Sequence, residues 1–125
     1  MDDEREFVEA LSERLVIRDY HVTMSFSGED AIDKVKNYLY DVVILDVAMP
    51  GKDGIETLRE IKSIKPLTEV IILTGHRITE TAIEGMRLGA YDFLLKPCET
   101  HKLISKINKA YNQKEKRKRE SSQQK

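Results

Sequence analysis

The chain has 125 residues, 40% of them hydrophobic and 34% charged, which suits one soluble domain large enough to bury a core. No apolar run approaches the roughly 18 residues that span a bilayer, the acidic opening MDDERE does not read as a signal peptide, and the lone Cys98 rules out an internal disulfide and suits a reducing cytoplasm. Residues 1–100 hold 12 Lys and Arg against 20 Asp and Glu, and residues 101–125 hold 9 against 2; an acidic body with a basic tail is not the footprint of a nucleic-acid-binding domain.

In chain order, Phe7, Val8, Leu11 and Leu15 fall at helical spacing and predict an amphipathic helix from Glu4 to about Asp19. HVTMSF, His21 to Phe26, alternates with period 2 and predicts an edge strand. Ser27 is a plausible cap for a helix to Leu39, with Ala31, Ile32, Val35 and Leu39 on one face. The run Val42-Val43-Ile44-Leu45 predicts a strand buried on both faces, as in parallel sheets. A helix from Ile55 to about Ile64 follows, closed by Pro66, and then a second fully buried strand, Val70 to Gly75. Thr79 to Leu88 predicts a helix ended by Gly89. Asp92 to Pro97 predicts a short strand, and Thr100 to about Lys116 the last helix. The segment KEKRKRESSQQK, from Lys114, has no apolar residue and reads as a fraying helix end and polar tail. Strand and helix alternate, the signature of a parallel sheet covered on both faces.

Ligands bind such sheets outside the carboxyl ends of the strands. Those ends carry Asp46, Thr74 and Lys96, and a strand-to-helix turn would bring Asp2 and Asp3 to the same edge. Carboxylates gathered in one place repel one another unless a cation joins them. The hard cation that takes oxygen ligands in octahedral geometry is Mg²⁺. Asp46 at the end of a buried strand is then tolerable because a metal and a lysine balance its charge.

Four motifs come in this order: the acid pair Asp2-Asp3, DVAMPGKDG from Asp46, Leu73-Thr74-Gly75, and GAYDFLLKP from Gly89 to Pro97, with matching spacings between them. Together they resemble the receiver domain of two-component response regulators, over residues 2–112. The resemblance implies an α/β fold, a flavodoxin-like doubly wound parallel sheet, with four strands written in this chain in place of the usual five. Residues 1–112 would be the receiver domain and 113–125 a basic polar tail or linker. Asp46 would be the phosphoacceptor, fed by a sensor histidine kinase or a phosphotransfer protein. Mg²⁺ would be held by Asp3, Asp46 and the backbone carbonyl of Ala48, with Asp2 acting mainly through water. Lys96 and Thr74 would meet the phosphoryl oxygens, Phe93 would be the switch aromatic, and the Lys96-Pro97 bond would be cis. Ala48 and His76 would tune dephosphorylation, and the small, apolar Ala48 implies a long-lived phosphoryl state. The resemblance implies a cytoplasmic signalling protein, with no enzymatic activity beyond its own phosphorylation and dephosphorylation, no direct nucleic-acid contact and no membrane. A receiver–receiver dimer or a strand-swapped partner would fit it.

One departure stands out. The family leads an apolar first strand into the acid pair, and here only Met1 precedes Asp2. In the order 2-1-3-4-5 that strand is interior, and each buried backbone group left unpaired costs about 1–3 kcal/mol. A truncation, a strand lent by another molecule, and a rearranged first helix and second strand all stay open. Because the gap touches the metal-binding terminus, a receiver-like interaction module that is not phosphorylated is the alternative. A haloacid-dehalogenase-type phosphatase would need a second Asp where Ala48 stands, and a flavodoxin-like flavin binder would need a Ser/Thr/Gly-rich loop the chain lacks.

Overall fold

The computed structural model of the chain describes residues 1–2, 4–47, 54–75 and 80–123. Helix α1 (Arg5–Ile17) is anchored by buried Leu15, and two residues past its end Asp19, with a φ of 67°, turns the chain back. Helix α2 (Gly28–Asn37) starts as its sequence predicts: the Ser27 hydroxyl accepts the Asp30 N–H at 3.2 Å. Strand β1 (Val42–Asp46), helix α3 (Gly54–Ile64), strand β2 (Glu69–Thr74), helix α4 (Glu80–Arg87), strand β3 (Asp92–Leu95) and helix α5 (Thr100–Gln123) complete the chain.

The sheet runs β1-β2-β3, all parallel. Val42–Asp46 pairs with Glu69–Leu73, and Ile71–Thr74 with Asp92–Leu95. Helices cover both faces. Ile32, Val35, Leu58 and Ile61 pack with Leu45, Val70 and Ile72 on one side; Leu15, Leu103, Ile107 and Ala110 pack with Ile71 on the other. Close approach fixes two of the helices. At Gly85 in α4 a Cβ would fall 2.2 Å from the Ile72 side chain, and at Gly54 in α3 it would fall 2.3 Å from Val47 Cα.

Three expectations are corrected. The described residues hold three strands, because His21–Phe26 is not a strand. It lacks the neighbour that would pair with it: between it and β1 stand only Met1 and Asp2. Those two residues nonetheless behave as the last rung of a strand. The Met1 amine donates to the Ile44 carbonyl, the Met1 carbonyl accepts the Asp46 N–H at 2.9 Å, and the Asp2 N–H donates to the Ser25 carbonyl at 3.1 Å. Below them lies a cavity of about 620 Å³, lined by Val8, Leu11, Val22, Val35, Val42, Ile44 and Ile107 among others. This space is why Val42, Val43 and Ile44 are only half-buried, against the expectation of a strand enclosed on both faces.

The third correction is at the other end. Helix α5 does not fray near Lys116 but runs to Gln123. Lys114 reaches Asp41 at 2.5 Å, and Arg117 reaches the buried Glu69 at 2.6 Å, so the basic stretch is tied to the amino-terminal rim of the sheet.

Candidate functional site

The parallel register brings the strand ends together. Asp46 closes β1, and Thr74 closes β2 one residue beyond Leu73, the partner of Asp46. Lys96 follows β3, and its backbone N–H continues the pairing by donating to the Thr74 carbonyl at 2.7 Å. The peptide bond between Lys96 and Pro97 is cis. Asp2 arrives from the two-residue rung beside β1, where its Oδ1 accepts the Glu4 N–H at 3.0 Å and so supports the start of α1.

Asp2, Asp46 and Thr74 are all at least nine-tenths buried, at 2%, 6% and 2% exposure. Buried carboxylates need a countercharge, and Lys96 supplies it. Its Nζ lies 2.5 Å from Asp2 Oδ2, 3.3 Å from Glu4 Oε1 and 3.4 Å from Asp46 Oδ2. Burial alone would lower the pKa of Lys96. The hydrogen bond the ammonium donates to Asp2 and the charges of Asp46, Asp2 and Glu4 outweigh burial, so the net shift is upward and the ammonium persists at neutral pH. The α-amino group of Met1 moves the other way, from 8.0 to about 6, because burial strips its solvation more than Asp2 and Asp46 compensate.

Asp2, Glu4 and Asp46 can each place a carboxylate oxygen within 4.8 Å of the other two. Three hard oxygen donors at that spacing match the ligand preference of Mg²⁺. Glu4 was not among the residues expected here. Its clue was its position immediately after an acid pair, within reach of the same lysine. Asp3, Ala48 and His76, expected from the family pattern, lie outside the described residues. Phe93 is half-buried in β3 and packs on the core shared by α2 and α3. Cys98 is half-buried, and burial pushes its thiol pKa up, the setting of an inert side chain. The chemistry open to the site is that of a shielded carboxylate held beside an ammonium, next to a hydroxyl and to further acids that can gather a cation.

Comparison with known proteins agrees with that geometry. The family model described as the response regulator receiver domain matches residues 1–108. The transcriptional regulatory protein ZraR of Salmonella typhimurium is 40% identical over 91 residues, covering 73% of this chain and 21% of ZraR. The chain therefore spans about a fifth of that relative's length. Among solved structures, the receiver domain of NtrX from Brucella abortus is 30% identical with a TM-score of 0.84, covering 89% of this chain and 94% of that one. A CheY-like receiver domain protein from Methanospirillum hungatei, at 22% identity, superposes with a TM-score of 0.88 over 93% of both chains and supports the fold.

Proposed function

The chain belongs to the response regulator receiver domain family, and on that premise we propose that it is a phosphorylation-dependent signalling switch with Asp46 as phosphoacceptor. The observation that carries the reading is the seating of Asp46: 6% exposed at the carboxyl edge of the sheet, 3.4 Å from the Lys96 ammonium, beside Asp2 and Glu4. A sensor histidine kinase or phosphotransfer protein supplies the phosphoryl group from phosphohistidine. A carboxylate oxygen of Asp46 attacks phosphorus; the P–O bond forms as the P–N bond breaks, and the departing imidazole takes up a proton.

Lys96 offsets the negative charge that gathers on the transferred oxygens, and the Thr74 hydroxyl donates to one of them. Asp2, Glu4 and Asp46 would hold Mg²⁺, joined on the family pattern by Asp3 and the Ala48 carbonyl. When bound, the ion supplies further charge neutralisation at the phosphoryl oxygens. Movement of Thr74 toward the phosphoryl group frees space for Phe93 to turn inward. The face formed by α4, β3 and α5 is thereby reshaped, and it meets an output domain or a second receiver. No catalysis beyond the chain's own phosphorylation and dephosphorylation belongs to this reading. Cytoplasm is its setting; among the described residues no helix is long and apolar enough to cross a membrane.

Intact mass after incubation with Mg²⁺ and acetyl phosphate tests it, beside an Asp46→Ala control. One added phosphoryl group, absent from the control, is expected. A folded chain that stays unmodified would favour a second reading, a receiver-like interaction module. What favours that module is the cavity beside β1, because Asp2 reaches the site from a rung of only two residues above open space.

A further inference from the structure

Lys96 is enclosed from four sides, and one of them is not a carboxylate. Its ammonium has three N–H donors, and Asp2, Glu4 and Asp46 lie within 3.4 Å on the acidic side. Against it lies the ring of Phe7, whose centroid is 4.5 Å from Nζ. That distance is well within the range in which a ring face attracts a cation. Phe7 stands in the first turn of α1, and Arg5, the first residue of that helix, makes a second contact of the same kind, over the Phe26 ring at 4.1 Å. Phe7 also helps to line the cavity beside β1.

We propose that Phe7 is a positioning residue for Lys96: the face of its ring holds the ammonium beside Asp46 and closes that side to water. An aliphatic residue of similar size would exclude water there but would exert no attraction on the charge. The consequence for Asp46 rests on its being the phosphoacceptor; the ring contact itself does not.

The test uses the full chain with the lysine Nζ labelled with ¹⁵N, so that exchange of the Lys96 ammonium protons with solvent can be followed by NMR. Phe7→Leu should speed that exchange about 2- to 10-fold, the range set by losing one partly shielded cation–ring contact. Phe7→Trp, with a stronger ring face, should leave it unchanged or slower. Phenylalanine carrying one, two or three ring fluorines at position 7 changes shape little but weakens the face stepwise. Exchange should quicken in the same steps, and the rate of modification by acetyl phosphate should fall with it. A flat response across the fluorinated series would overturn the proposal, since a merely space-filling role predicts it. Graded exchange with an unchanged modification rate would overturn the positioning role. Graded exchange in a chain whose wild type is never modified would support the ring contact and overturn the phosphoacceptor reading instead.

Discussion

The two edges of β1 carry the same five residues into different surroundings. Toward β2, every residue from Val42 to Asp46 is paired in register. Toward the other side, the backbone partners among the described residues are the carbonyl and amine of Met1, and Val42, Val43 and Ile44 line the cavity. The neighbouring strand β2, of nearly the same composition, is buried at all six positions, whereas Val42, Val43 and Ile44 are half-buried. An apolar run therefore encodes a demand for burial, and neighbours decide whether it is met. The site sits where, among the described residues, Met1 and Asp2 close the open edge.

The sharpest way to break this contrast is to fill the space. Five apolar, β-branched-rich residues fused ahead of Met1 should enter the cavity parallel to β1. Burying five such side chains yields about 1.5–3 kcal/mol each, against an ordering cost of about 1.5 kcal/mol per residue, with new ladder bonds added. The expected gain is on the order of 5 kcal/mol, or about 15 °C in Tm by calorimetry. A Gly-Ser extension of equal length should do nothing. Equal behaviour of the two extensions would mean the open edge is not a receptive strand position.

A smaller effect comes from truncating each edge in turn. Ile72→Ala, fully enclosed in β2, should cost about 2–5 kcal/mol in urea denaturation. Ile44→Ala should cost less, because part of that side chain already borders empty space. Equal losses would show that the cavity collapses in solution.

The smallest effect is a pH dependence. In the folded chain the Met1 amine releases its proton at about 6, rather than near 8.0. Between those values the unfolded chain binds more protons, so stability rises with pH from about 6 to 8 and is level above. The size is about 3 kcal/mol. Acetylating the amine, or joining the apolar strand to it, removes the group and should flatten the profile measured by urea denaturation.

Most of the architecture is legible in the sequence, since the helices and the three strands answer to apolar spacing within each element. What escapes it depends on partners far along the chain. His21–Phe26 alternates as a strand should, yet alternation cannot supply the missing neighbour. The length of α5 was underestimated because its charged end is held by Asp41 and Glu69, residues 73 and 48 positions away. At the site, Asp2, Asp46, Thr74 and Lys96 converge as strand-end positions imply. Glu4 and Phe7 surround Lys96 by virtue of how the first turn of α1 is set, which no motif announces.

Those remote ion pairs give α5 a mechanical character. A helix of 24 residues rises about 36 Å. Lys106, in its second turn, is tied to Asp92 at the start of β3, while Lys114 and Arg117 act as a fulcrum on the rim formed by Asp41 and Glu69. Such a bar does not absorb a tilt; it transmits it. About that fulcrum, a rotation of about 5° would carry the first turn roughly 2 Å and the tip roughly 1 Å the opposite way, so a shift beside the sheet is felt, halved and reversed, at the far end of the helix.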